Sequence, residues 1–348
     1  MIKTSVTAWY SRFKKSISYK EYWLCFITGL SLVLAYAPFS QWYLTLILPA
    51  FVFNQIQRQP PKKAAKLMGV FAFGWFASGI SWVHVSIDQF GGLPLMLSLG
   101  LMLLLCLYLA IFPALAAYLT ARFSKKRQLN LWLLPSFWLI SEYLRSVFLT
   151  GFPWLSLGYS QIDSPLANFA PIIGEVGITA LVIMINVNWV NLINRKKINR
   201  SKNTRYAVGL FLIVASLSVI LGKVSWVVPT GTTTKVALVQ GNIAQSIKWA
   251  PEQEWPTMLK YLDLSRVNFD AELIIWPESA IPAQEPTVQD YLSTVNRSAL
   301  LNDSAIITGI LNYNFEREES CNRLVVLGKQ QPDDAQGHYY CHRDRYSK

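Results

Sequence analysis

Long apolar runs separated by short polar ones fill the first two thirds of the chain, and shorter apolar runs of a different rhythm follow. A bilayer is crossed by about 20 consecutive apolar residues. Runs of that kind lie at roughly 22–37, 42–57, 67–87, 93–119, 129–149, 171–194 and 206–226, and they predict seven membrane-spanning helices. Residues 67–121 contain one formal charge, Asp88, and residues 206–222 contain none. From residue 233 the pattern reads differently. KVALVQGNI at 235–243, AELIIWP at 271–277, SAIITGILN at 304–312, NRLVVLG at 322–328 and the stretch 338–346 are short runs of buried-strand type. Helical spacing around Met258, Leu259, Tyr261, Leu262 and Leu264 separates the first two, and a helix near 287–301 precedes the third. The order β-α-β-α-β-β-β predicts an α/β layered domain. The expected organisation is a helical polytopic membrane domain over 1–232 and an external α/β domain over 233–348.

Composition agrees with the first half of that division. With 52% hydrophobic residues and 13 tryptophans in 348 residues, the chain is too apolar for an ordinary soluble protein of its length. Charge then sets a direction, because Lys and Arg in short loops mark the cytoplasmic side. Lys3, Arg12, Lys14, Lys15 and Lys20 precede the first run, and Arg58, Lys62, Lys63 and Lys66 follow the second. Arg122, Lys125, Lys126 and Arg127 follow the fourth, and a cluster from Arg195 to Arg205 follows the sixth. The intervening loops hold almost nothing basic beyond Arg145. Basic loops thus alternate with neutral ones, which predicts a cytoplasmic N-terminus and an external C-terminal domain. The net charge of +12 resolves the same way: residues 1–232 carry +16 and residues 233–348 carry −4. The basic residues serve topology, and no nucleic-acid partner is implied.

The candidate chemistry begins where the run Leu273–Trp276 stops at Pro277 and a carboxylate follows, Glu278. Active groups of layered α/β folds gather at strand ends. A carboxylate presented there into a mostly apolar pocket suits general-base work; the alternatives are an exposed loop carboxylate or a charge at a helix N-terminus. The four cysteines, Cys25, Cys106, Cys321 and Cys341, have no metal-site spacing, and no metal or cofactor is expected. Glu142 and Arg145, spaced i, i+3 near one end of the fifth run, can face each other on a helix; such intramembrane charges suit a functional site or a structural ion pair. Glu175 favours the start of the sixth helix. Gly151, Phe152, Pro153 and Trp154 form a proline-aromatic loop just past the fifth run, either a rigid surface turn or the wall of a lipid entrance. Trp249 is an interfacial anchor or part of a site mouth.

The strand followed by WPESA resembles the glutamate motif of the nitrilase, or carbon-nitrogen hydrolase, superfamily. Other segments resemble one membrane branch of it, the apolipoprotein N-acyltransferases: VQGNIAQSIKW at 239–249, SEYLRSVFLTGFPWLSLGYSQID at 141–163, PIIGEVGITALVIMIN at 171–186, and RYSK at 345–348. The resemblance implies a nitrilase-like αββα domain with a Glu-Lys-Cys active site. Glu278 would be the base and Lys348 the oxyanion stabiliser, with Trp249, Trp154, Glu142 and Arg145 as candidate substrate-binding residues. The implied reaction moves an acyl chain from a membrane phospholipid through a cysteine thioester to the N-terminal diacylglyceryl-cysteine of an apolipoprotein, in the bacterial inner membrane.

The sequence departs from the family pattern in one respect. The nucleophilic cysteine is expected several tens of residues after the lysine, and Lys348 is the last residue here. Cys321 and Cys341 both precede the lysine and match that position poorly. The expectation is therefore an incomplete nitrilase domain whose nucleophile is absent from these 348 residues, inactive when expressed alone. A membrane-tethered amidase giving the acyl group to water, or a binding protein without activity, remain the alternatives.

Overall fold

The computed structural model of the chain describes residues 19–124, 132–194, 200–314 and 319–328, with the backbone alone at 200–207, 210, 314 and 319. The chain divides into two compact units, one ending at Val227 and the other beginning at Val228.

The first unit is helical: α1 (residues 19–32), α2 (Leu48–Ile56), α3 (Pro61–Gly79), α4 (Val83–Gln89), α5 (Leu95–Phe123), α6 (Leu133–Val147), α7 (Ala170–Ile193) and α8 (Arg200–Leu221). Each of the seven apolar runs carries helix, but helical breaks shorten several of them. Among the described residues, Leu95–Phe123 and Pro165–Ile193 are long and apolar enough to cross a membrane, and α3 with α4, bent by 53°, counts as a third if taken as one span. The 15 residues of α6 reach only ~22 Å at the α-helical rise, short of a hydrocarbon core of about 30 Å. A 3-10 turn at Trp42–Leu46 precedes the nine residues of α2, and Gly174 at φ +63° kinks α7.

Helix α5 shows what the unit is built for. It buries Met102, Cys106, Leu109 and Ala116 while leaving Leu103, Leu104, Leu107 and Ile111 exposed. A helix apolar on all sides with half of that surface uncovered fits lipid, not water. Inside the unit, helices approach where glycine permits. A Cβ on Gly29 of α1 would fall 2.0 Å from the Phe71 carbonyl oxygen, and one on Gly74 of α3 2.6 Å from that of Phe26. The two backbones therefore touch, and Phe71, Trp75 and Phe76 fill the core beside them.

Among the described residues the second unit is a five-stranded sheet with two α-helices: β1 (Val236–Leu238), α9 (Pro251–Arg266), β2 (Leu273–Ile275), β3 (Ile281–Gln284), α10 (Gln289–Leu301), β4 (Ala305–Asn314) and β5 (Glu319–Gly328). β1 pairs parallel with β2, and β2 parallel with β4 through Leu273–Ala305 and Ile275–Ile307. β3 pairs parallel with the second half of β4, at Ile310 and Leu311. β5 runs antiparallel along β4 from Ala305–Gly328 to Asn314–Glu319. One edge of β4 is thus occupied throughout by β5, and the other is shared by β2 and then β3. Of the predicted strands, 338–346 lies outside the described residues. β3 was absent from the expected order, because Ile281-Pro282-Ala283-Gln284 contains a proline that cannot donate to a ladder.

Ile274, Ile306 and Ile310 of the sheet and Leu292, Val295 and Ala299 of α10 are fully buried in one core with Met258, Tyr261 and Leu262 of α9. The Tyr291 hydroxyl donates to the Met258 carbonyl at 2.7 Å, tying α10 to α9. The opposite sheet face is also apolar yet open: Val236, Leu238 and Leu324 are exposed.

The contact at Gly29 makes a stability prediction. Gly29→Ala forces α1 away from α3 and costs about 1–3 kcal/mol, lowering the thermal midpoint of the detergent-solubilised chain. Gly100→Ala, where a Cβ meets nothing within 4 Å, leaves it unchanged or slightly raised.

Candidate active site

Glu278 lies in the gap between two strands that share one edge of β4. The Trp276 N–H still bonds the Ile307 carbonyl at 2.8 Å, continuing the β2 ladder by one residue. Pro277 then has no N–H to give, and the chain turns until β3 resumes pairing at Ile281. The turn is closed by the Ala280 N–H on the Pro277 carbonyl at 3.2 Å and passes through Ser279 at φ +50°. Opposite the gap is Gly309 of β4. A Cβ there would lie 2.9 Å from the Ser279 nitrogen and 3.0 Å from the Glu278 Cα, so glycine is what lets the turn lie this close.

The carboxylate itself is exposed and does not enter the apolar pocket expected of it, because Pro277 and Glu278 stand at the surface of the unit. Asn322 of β5, reaching across from the other edge of β4, donates its amide to Glu278 Oε1. Lys248 Nζ donates to the Glu278 backbone carbonyl at 3.4 Å and stands 5.7 Å from the centre of the Trp249 ring. The structure therefore gathers Glu278 and Trp249, two of the predicted site residues, around Lys248, and adds Asn322. Trp276 is the anchor below: its indole N–H donates to Ser265 Oγ of α9 at 2.8 Å. The loop carrying Lys248 and Trp249 leaves β1 past Gly241, where a Cβ would come within 2.6 Å of the Tyr261 ring. Burial raises the Tyr261 phenol above its usual range, partly offset by a backbone hydrogen bond from Gly241.

A second carboxylate, Glu285, follows β3 and is buried. Asn312 donates to its Oε2 at 2.6 Å, and the Arg323 guanidinium donates to the same oxygen at 3.3 Å. Neighbouring residues of β5 thus serve two acids: Asn322 the exposed one, Arg323 the buried one. Cys321 precedes them on the same strand, paired in register with Asn312. Lys348 and Cys341 lie outside the described residues.

Glu142, Arg145 and Trp154 belong to the helical unit. Arg145 Nη2 is 3.7 Å from Glu142 Oε1, so the i, i+3 pair does meet. Its larger task is local: Arg145 Nη1 donates to the Phe152 carbonyl at 3.0 Å and to that of Trp154, while the guanidinium carbon stands 5.4 Å from the centre of the Phe76 ring. The Tyr36 hydroxyl holds the Leu155 carbonyl at 3.0 Å. Three carbonyls of one loop are therefore pinned from buried side chains. The loop needs pinning, since Leu149, Thr150 and Leu155 all have positive φ. Gly151, at φ +79°, stands where a Cβ would strike the Ser146 carbonyl oxygen at 1.9 Å. Held this way, the loop exposes Leu149 and Trp154. Glu175 does more than open α7, as was expected of it: Ser156 Oγ donates to it, and Thr179 Oγ1 bonds it at 2.9 Å. Glu142 also accepts from Trp138 Nε1 at 3.1 Å, and its other oxygen lies 3.1 Å from the same Ser156 Oγ, whose one proton serves one carboxylate at a time.

Glu278 thus stands in the gap between two strands of an α/β unit that follows an apolar helical one in the chain. The carbon-nitrogen hydrolase family model matches residues 235–344, and the model of the apolipoprotein N-acyltransferase N-terminal domain matches residues 28–188. Apolipoprotein N-acyltransferases of Shewanella oneidensis and Vibrio cholerae are 45% and 42% identical over 309 and 325 residues, which is 88% and 92% of this chain and 58% and 62% of theirs. That of Coxiella burnetii is 36% identical over 310 residues, 88% of this chain and 63% of its own. In order along its length, the chain is thus similar to the N-terminal domain of the apolipoprotein N-acyltransferases and then to the carbon-nitrogen hydrolases. It spans about three fifths of the length of these curated relatives.

The close approach at Gly309 is open to measurement. Gly309→Ala displaces the Pro277–Ser279 turn, so hydrogen exchange at Trp276 and across 278–280 accelerates by at least about tenfold, the weight of ~1.4 kcal/mol in a local opening equilibrium, while α9 keeps its protection. Unchanged exchange at 276–280 means that the turn does not depend on the glycine.

Proposed function

We propose that this protein transfers an acyl chain from a membrane phospholipid to the N-terminal diacylglyceryl-cysteine of apolipoproteins, with Glu278 as the general base. The observation that carries this reading is the placement of Glu278 in the strand gap opposite Gly309, with Asn322 on its carboxylate. A thiol becomes a nucleophile only when a base takes its proton. In the reading offered here, Glu278 accepts the proton of a cysteine thiol as sulfur attacks the ester carbonyl of the donor lipid. The proton then passes to the departing lysophospholipid oxygen. In the second half, the same carboxylate takes a proton from the acceptor amine as nitrogen attacks the thioester, and the thiol is restored. Lys348, in a segment that resembles the family's lysine motif, would supply the positive donor for both oxyanions. Trp249 beside Lys248 is a candidate lipid contact in the sheet unit; in the helical unit the candidate is Trp154 on its pinned loop, which Glu142 and Arg145 hold in shape. The open apolar sheet face of β1, β2 and β5 is what the second sheet of an αββα sandwich covers.

The same reading places seven spans in the bacterial inner membrane, the N-terminus in the cytoplasm, residues 1–232 as the membrane domain and residues 233–348 in the periplasm. The alternation of basic and neutral loops supports it, as does helix in every apolar run. A reporter active only after export, fused after residue 232, should be active, and one fused within 60–66 silent. The reversed pattern removes the orientation and with it the periplasmic chemistry.

The catalytic role is tested in a chimera in which residues 1–348 replace the matching part of the Shewanella oneidensis relative. Glu278→Gln keeps the size of the side chain but cannot take a proton. Formation of a hydroxylamine-sensitive acyl-enzyme from labelled phospholipid should fall at least about 100-fold with membrane insertion intact. An unaltered rate returns Glu278 to a loop carboxylate, and label recovered as free fatty acid in place of acylated peptide identifies an amidase-like hydrolase.

A further inference from the structure

A groove of about 240 Å³ runs between the first half of α1 and the middle of α3, lined by Tyr19, Tyr22, Trp23 and Phe26 of α1 and by Val70 and Phe73 of α3. Its origin is in the packing already described. The backbones touch at Gly29 and Gly74, and beside that contact Phe26 stacks on Phe73 at 6.2 Å. The aromatic rings beside it border the hollow. Its walls are apolar except for the two tyrosine hydroxyls.

The mouth of the groove is cationic. Residues 62, 66, 70 and 73 follow the spacing that puts side chains on one face of a helix, so Lys62 and Lys66 stand on the α3 face that lines the groove, one and two turns nearer the helix start. Both are exposed. Lys63, between them, is already engaged: its Nζ lies 2.7 Å from Glu21 Oε2. Glu21 is spent on that bridge, and neither Lys62 nor Lys66 has an ion pair among the described residues. The segment 1–18 holds four more basic residues and no acid, so it cannot neutralise them.

We propose that this groove binds an anionic phospholipid, with the phosphate between Lys62 and Lys66 and an acyl chain along Trp23, Phe26 and Phe73. An i, i+4 lysine pair has Cβ atoms about 6 Å apart, close enough for both ammonium groups to reach one phosphate. The apolar hollow deeper along the same helix face accepts a chain and repels a headgroup. A second copy of this chain is the poorer occupant, because it would bring the same basic residues to the same level, with like charges opposed. The proposal needs only that the helical unit lies in a bilayer, and stands apart from the chemistry at Glu278.

The test uses the 348-residue chain in nanodiscs of phosphatidylethanolamine with phosphatidylglycerol. Each lipid in turn carries a photoactivatable diazirine in its acyl chain, and labelled peptides are mapped by mass spectrometry. The glycerol lipid should label residues 19–26 and 66–73 at least about fivefold more than the ethanolamine lipid, since one lysine at an anionic surface is worth about that factor. K62Q/K66Q should bring the two probes level. Arg122→Gln, which removes a charge at the far end of α5, should change nothing. Equal labelling by the two lipids in the wild type, or an equal loss in Arg122→Gln, overturns the site in favour of diffuse surface charge. Crosslinks joining two copies through Trp23 in place of lipid adducts overturn it in favour of a dimer contact.

Discussion

Every backbone N–H of a buried strand needs a partner, and the edge of β4 can offer only one row of them. Two successive strands divide that row, β2 as far as Ile307 and β3 from Ile310, and the chain between them must leave the ladder and return. Proline at 277 makes the departure obligatory, since it brings no donor. Gly309 makes it shallow, since no side chain stands in the way. Glu278 is the residue left at the top of this detour. Its backbone is fixed from below by β4 and its carboxylate is steadied from the side by Asn322 of β5. A side chain on a free loop would spread over many positions; here the ladder on both sides removes that freedom, which is how strand ends come to hold reactive groups.

The helical unit solves a related problem in a drier place. Glu142, Arg145, Ser156, Glu175 and Thr179 bring three formal charges into an apolar surrounding, and the hydroxyl of Ser156, with one proton, lies within reach of both carboxylates. Each acid therefore draws on a second donor, Trp138 for Glu142 and Thr179 for Glu175. Unpaired charges of this kind are costly in a membrane, so the cluster holds only if its members stay together. What it holds in place is backbone: the carbonyls of Phe152, Trp154 and Leu155, in a loop whose φ values side-chain-bearing residues seldom adopt.

Much of this was legible in the chain. Hydrophobic period separated the helical unit from the sheet unit, and the apolar run ending at Pro277-Glu278 pointed to the strand end. The i, i+3 spacing of Glu142 and Arg145 brought them together as expected, although it could not show that Arg145 spends its guanidinium on carbonyls several residues further on. The runs at 42–57 and 129–149 carry less continuous helix than their lengths predict, because hydropathy does not register backbone geometry such as the 3-10 turn at Trp42–Leu46. β3 was hidden by Pro282. Asn322 and Gly309 left no local signal at all, since their importance arises from parallel and antiparallel pairings that join residues some 31 to 44 positions apart.

The most direct measurement is the mass of a lipoprotein N-terminus from cells in which the chimera carrying residues 1–348 is the sole source of N-acylation. If this chain's strand gap and membrane loop serve the chemistry assigned to them, the N-terminal cysteine peptide carries three acyl chains, one of them on nitrogen. A peptide with two acyl chains and a free amine, from cells where the chimera is inserted and abundant, would contradict the account.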